Sequence, residues 1–223
     1  MNMKKNLAWN TFGSIFYSLC QWVITIIVVY VADYGVAGYL SLAMTMSSSF
    51  SAISLFSMRN YQVSDVKGEF TTGQYVSSRV WTCLGALVCC MAWAFWREDI
   101  YQFLCVLAFM LVRVAEGMVD VFHGINQRYD RYDYIGSSYV IRGFLTVAVF
   151  SLGLMVCGNL CLVLFAVAVC NLLVMLVWDL VRTAHLESWK LKIMDRRIVR
   201  LLLCCAPLVV FSFLLSWQNL YSK

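Results

Sequence analysis

The sequence predicts an all-α, polytopic membrane bundle of about seven transmembrane helices. Three observations carry the prediction. Apolar residues make up 62% of the 223-residue chain and charged ones only 13%, with a single proline, Pro207; a soluble domain is about 45–50% apolar and about 25% charged. The apolar residues fall into seven runs, each near the roughly 20 residues that one helical crossing needs. The basic residues flank these runs and gather on one side of them. Seven crossings use roughly 140 residues, which leaves short loops and no separate soluble domain. Any function must therefore reside in the helices and their connections.

The first run, Leu7–Val31, carries Asn10, Ser14, Ser18 and Gln21. Their steps of four, four and three put them on one helical face, where Asn10 and Gln21 either pack or line a cavity. A tight turn at Asp33 makes the second run, Val36–Met58, antiparallel to the first. Its Ser41, Thr45, Ser47, Ser48, Ser49, Ser51 and Ser54 suit close helix packing in lipid. It closes on Arg59-Asn60-Tyr61-Gln62-Val63-Ser64-Asp65, polar and aromatic. Arg59 there either snorkels to the interface or forks two N–H donors onto a phosphate. The third run is Val76–Trp96, with Trp81 and Trp93 placed as interfacial anchors.

The fourth run, Tyr101–His123, holds Arg113, Glu116 and Asp120 on one face, and His123 and Gln127 extend the stripe. Charge at bilayer depth is costly, so such residues are functional candidates by default. The stripe is either an ion pair that locks two helices or the polar wall of a hydrated cavity. The fifth run, Tyr134–Val156, places Arg142 near its start, with the same two options as Arg59. The turn Cys157-Gly158-Asn159 leads to the sixth, Cys161–Val181. Between it and the seventh, Val199–Trp217, the segment from Arg182 to Arg200 is basic. Leu186, Trp189 and Ile193, and Leu191, Met194 and Ile198, recur at helical steps, as in a helix lying on the inner membrane surface.

With the N-terminus in the cytoplasm, the connections on that side hold nearly all the lysine and arginine. Arg79 counts among these flanking charges. Only Arg97 and Lys223 fall on the opposite side, and Arg113 lies within a span. The orientation is therefore N-in, and the net charge of +5 follows from topology and attraction to inner-leaflet membrane lipids. Loop-distributed basic residues give no case for nucleic acid. No cleavable signal peptide is evident.

Chemical motifs are sparse. The ten cysteines form no Cys-x-x-Cys pair and have no histidine at a ligand spacing, so they read as apolar packing residues. No Gly-rich phosphate loop, His-Glu-x-x-His or Ser/His/Asp set occurs. The chain is thus expected to be no enzyme and to hold no metal and no cofactor. One alternative is an integral-membrane lipid-phosphate transferase that uses Asp120, Asp130 and Asp133 with Mg²⁺, although Arg128 and Arg131 interleave with the latter two.

Three stretches together carry a resemblance: Asn6-Leu-Ala-Trp-Asn10-Thr-Phe-Gly13-Ser14; Met58-Arg59-Asn-Tyr-Gln62-Val-Ser-Asp65; and Glu116-Gly-Met-Val-Asp120-Val-Phe-His-Gly124-Ile-Asn-Gln127, with Ile135-Gly136-Ser-Ser138-Tyr-Val-Ile-Arg142-Gly143 after it. Their order and spacing resemble the bacterial polysaccharide flippases, the Wzx-type exporters of O-antigen or capsule repeat units. These belong to the multidrug/oligosaccharidyl-lipid/polysaccharide exporter superfamily. The resemblance implies two six-helix lobes around a central cavity in the cytoplasmic membrane. It implies a lipid-linked oligosaccharide, carried on undecaprenyl pyrophosphate and flipped from the inner to the outer leaflet. By position, Arg59 and Arg142 are the residues suited to the pyrophosphate, Glu116 and Asp120 the acidic pair, and Asn10 and Gln21 cavity-facing. On this resemblance, 1–181 is an N-terminal lobe, 182–198 the connector and 199–223 the first helix of a second lobe. The chain is then expected to need a second half-transporter chain, or to act with other polysaccharide-assembly proteins. A drug/cation antiporter of the same superfamily and a non-transporting scaffold are the remaining alternatives.

Overall fold

The computed structural model describes residues 3–65, 67–191 and 195–207. Among the described residues every regular element is a helix. They are α1 (Met3–Val31), α2 (Tyr34–Leu55), α3 (Met58–Ser64), α4 (Thr72–Arg97), α5 (Ile100–Arg128), α6 (Tyr132–Cys157) and α7 (Leu160–Val174). A π-helical turn (Met175–Leu180) joins α7 to a short α8 (Val181–Leu186). Five stretches are long and apolar enough to cross a membrane: Lys5–Val31, Tyr34–Ser64, Thr72–Arg97, Tyr132–Cys157 and Leu160–Leu186. The chain is a helical bundle suited to embedding in a membrane. The central α5 matches those stretches at 29 residues but carries the charged stripe.

Short caps set the turns. Asp33 accepts the Tyr34 backbone N–H at 2.7 Å and starts α2. Gly158 takes φ 60°, where a side chain is disfavoured. Asn159 then accepts the backbone N–H of Cys161 at 3.0 Å to start α7. Thr71 and Gln74 form a capping box at the head of α4.

α5 packs against α2, α3, α4, α6, α7 and α8, so its polar stripe lies inside the bundle and is half-buried. α1 lies parallel to α6. Trp9 donates to the Ser137 hydroxyl at 3.2 Å, and a side-chain carbon on Gly143 would lie 3.1 Å from the Cys20 sulfur. Glycine makes this approach possible, because a Cβ on Gly13 would lie 2.5 Å from the Gly136 carbonyl oxygen. Close backbone approach is how helices associate where no hydrophobic force separates protein from lipid.

Two expectations are corrected. The second run is not one helix. It breaks at Phe56 and Ser57, both left-handed (φ 47° and 46°), and restarts as α3. The Arg59–Ser64 segment is therefore helical. The connector is also not a surface helix, because residues 187–191 are not helical. Glu187 accepts the Thr72 hydroxyl at 2.7 Å, and Trp189 packs on Phe122 with ring centres 6.2 Å apart. These tertiary contacts with α4 and α5 override an amphipathic pattern too weak to stand alone. Residues 192–194 lie outside the described residues. The seventh run is helical over 199–207, with Leu201 and Cys205 buried; the rest of it, to Trp217, lies outside the described residues.

Candidate functional site

The break in α2 frees backbone carbonyls in the interior, and a buried acceptor without a donor costs about 1–3 kcal/mol. Arg79 of α4 supplies the donors. Its guanidinium donates to the carbonyl oxygen of Ser54 at 2.8 Å and to that of Leu55. The same side chain, fully buried, meets Asp120 of α5 at 2.7 Å. Asp120 also faces Arg59 of α3 at 3.5 Å, and Arg59 donates to the Gln127 side-chain oxygen at 3.1 Å. Arg79 is thus no flanking surface charge, which corrects the sequence expectation. It supports the helix break and holds one wall of the site.

One turn or so back along α5, Arg113 meets Glu116 at 2.6 Å and donates to the Ser48 hydroxyl at 3.1 Å. Tyr17 of α1 donates its hydroxyl to Glu116. Gln21 donates to the Tyr17 oxygen at 3.0 Å. The three charges of the stripe are therefore split: Arg113 and Glu116 neutralise each other, while Asp120 belongs to Arg79 and Arg59.

Arg142 of α6 is 2% exposed and does not snorkel. Its Nε donates to Asn171 of α7 at 3.1 Å, and Asn171 donates to Thr146 at 3.1 Å. The guanidinium sits 5.4 Å from the Tyr17 ring centre. One terminal nitrogen is buried and unpaired.

Two cavities lie side by side along this wall. One, of about 270 Å³, is bordered by Ser14, Tyr17, Ser18, Glu116, His123, Tyr139 and Arg142. The other, of about 550 Å³, is bordered by Ser48, Ser51, Arg59, Asn60 and Gln127. Leu55 and Asp120 border both. Ser14, Ser18 and Ser48 are exposed, so hydroxyls line the rim, with the half-buried Arg59, Glu116 and Asp120 and the buried Arg142 behind them. Asn10 borders neither cavity and is half-buried, its side-chain oxygen unpaired. Gln21 reaches the site only through Tyr17.

The acids proposed for Mg²⁺ are not brought together. Asp133 pairs with Arg131 at 2.9 Å, Asp120 pairs with arginines, and no set of three metal-ligating side chains forms among the described residues. Outside the spans, Asp65 organises the loop below α3. Burial works against its carboxylate. The backbone N–H groups of Glu69 (2.9 Å) and Phe70 (3.2 Å) and the Tyr75 hydroxyl (2.9 Å) outweigh that and hold its carboxyl below its ordinary value.

Sequence reasoning missed Arg79, Tyr17, Asn171 and Asp179. Arg79 sits at the start of an apolar run, where a flanking charge is ordinary. Its one signal is the seven-residue spacing from Thr72 through Arg79 to Ala86, three buried positions of one α4 face. Compared with protein-family models, with curated proteins and with solved structures, the chain matches none.

Proposed function

We propose that this chain forms the N-terminal lobe of an exporter that moves a lipid-linked oligosaccharide across the cytoplasmic membrane, with its N-terminus in the cytoplasm. The observation that supports the reading is a hydroxyl-rimmed trough, lined by Arg59, Arg142, Glu116 and Asp120, set among helices that are otherwise apolar outside. An unpaired charge at mid-membrane costs about 2.5–3.5 kcal/mol even on permissive scales. Arg59, Glu116, Asp120 and Arg142 along one wall make sense where water and a polar cargo enter. A pyrophosphate head would meet Arg59 and the free nitrogen of Arg142, the lipid tail would stay in the bilayer, and the sugars would cross the hydrated trough. No bond is made or broken. Alternating access then needs only two packings of the lobes, with about seven crossings in this chain, six of them one lobe and the seventh the first helix of the second.

Export in cells dependent on this chain tests the reading. Arg59→Ala and Arg142→Ala are expected to lower surface polysaccharide at least tenfold at unchanged membrane levels of the protein. Unaltered export in both variants would refute the phosphate role. Ion-dependent efflux of cationic drugs, abolished by Glu116→Gln, would point to the antiporter instead. That alternative has less support, since Glu116 is already engaged by Arg113 and Tyr17.

A further inference from the structure

Beyond Glu116 and Asp120 lies a further acid that the export reading does not use. Asp179 sits in the π-helical turn, 1% exposed, and neither of its carboxylate oxygens accepts a hydrogen bond. Facing it is His123 of α5, also 1% exposed, with Nε2 at 3.6 Å from the nearer carboxylate oxygen. Nε2 has no hydrogen-bond partner either. Two buried groups of matching chemistry thus stand just beyond bonding distance, each unsatisfied. Native proteins rarely leave such groups so, because each carries a desolvation cost that nothing offsets.

Charged and titratable groups reach the ring from several elements, and Asp179 stands apart among them. His123 borders the 270 Å³ cavity, so water there has a route to the ring. Tyr139 of α6 stands edge-on to the imidazole, ring centres 4.9 Å apart. From α6 also comes Arg142, which borders the same cavity, and from α3 Arg59, which reaches the wall at Asp120. On α5 itself Asp120 lies one turn away, but Arg79 of α4 and Arg59 neutralise it. α8 contributes Arg182, which is stacked on Trp178 with 3.8 Å to the ring centre. Asp179 is therefore the one carboxylate facing His123 that no arginine engages among the contacts of the described residues. A π turn holds one residue more than an α turn, and such insertions recur at functional sites. Here the insertion carries the acid.

We propose that His123 and Asp179 form a proton-binding pair, loaded from the cavity, that clamps α7 to α5. With the neutral ring protonated at Nδ1, adding one proton to Nε2 makes an imidazolium N–H that donates to the carboxylate. A charge-assisted bond of that kind closes to about 2.7–2.9 Å, and the π turn is the segment that moves. Losing the proton restores the separation. The pair is independent of what the trough carries, so it stands or falls apart from the export reading.

Histidine occurs only at 123 and 185, so selective ¹⁵N-histidine labelling of the full chain in lipid nanodiscs gives two imidazole signals. His185→Gln assigns them. The His123 signal is expected to titrate reversibly between pH 4 and 9 and to report a hydrogen-bonded imidazolium when charged. In Asp179→Asn its midpoint is expected to fall by at least one pH unit, while that of His185 stays fixed. A His123 ring that remains neutral across this range in the unmodified chain overturns the proposal. So does an unmoved midpoint in Asp179→Asn. Asp179→Glu, which keeps the charge, is the second variant should the asparagine chain not fold; an unbonded His123 cation there counts equally against the pair.

Discussion

At the scale of single residues, Arg79 carries the most weight. It caps a broken helix and pairs with the acid of the central stripe, so its removal leaves two buried carbonyls and a less compensated carboxylate. Arg79→Ala is expected to destabilise the bundle by about 3 kcal/mol, read as a lowered Tm in nanodiscs, with Arg79→Lys intermediate because lysine lacks the fork. A Tm equal to that of the unmodified chain for Arg79→Ala would remove it from the architecture. Asp65 gives a pH prediction. Its folded pKa lies below the ordinary 3.8, so its contribution is complete above that value and fades as pH falls through the lowered one. Protease cleavage in the loop at 65–71 should rise below about pH 4, and Asp65→Asn should show the raised cleavage already at pH 7. The paired stripe of α5 was legible in the sequence, because Arg113, Glu116 and Asp120 stand at helical spacing. Its true partners were not. Which arginine meets Asp120 depends on how α3 and α4 dock, and no local pattern encodes that.

At the scale of elements, glycine sets the distances. Gly117 and Gly124 lie seven apart on α5, facing Ser54 and Gln62 of the broken second span; Gly136 and Gly143 repeat the spacing on α6, facing α1. A Cβ on Gly136 would lie 2.6 Å from the Trp9 carbonyl oxygen, and backbone cannot yield cheaply. Gly136→Leu should therefore separate α1 from α6 and abolish a Trp9–Ser137 cysteine crosslink that forms in the parent chain. Gly85→Ala is the contrast, with no atom within 4 Å of the added carbon. It should leave that crosslink and the Tm unchanged or slightly raised, since alanine favours helix by up to about 1 kcal/mol. The six helical runs were readable from apolar length, and their turns from Asp33, Gly158 and Asn159. The break at Phe56–Ser57 was not, because neither residue favours a left-handed backbone. Arg79, from another helix, makes that break tolerable. The basic connector misled for a related reason. Its weak amphipathic repeat was real, but Glu187 and Trp189 found stronger partners on α4 and α5.

At the scale of the whole molecule, a mostly apolar exterior encloses a wall of paired charge that opens through serines. The central claim is that this trough holds water while the bundle sits in a membrane. Ser18 and Ser48 lie on its rim, whereas Leu19, 54% exposed, faces outward one position away. Among the described residues the exposed cysteines are Cys89, Cys157 and Cys204, and a parent chain with these three changed to serine gives a low background. The most direct measurement is labelling of single cysteines in that parent by a charged, membrane-impermeant maleimide, on right-side-out and inside-out vesicles. The account predicts that Ser18→Cys and Ser48→Cys label in at least one orientation, and that Leu19→Cys stays unlabelled in both. Labelling of Leu19→Cys at the rate of the two serine positions, or of none of the three, would contradict a hydrated trough.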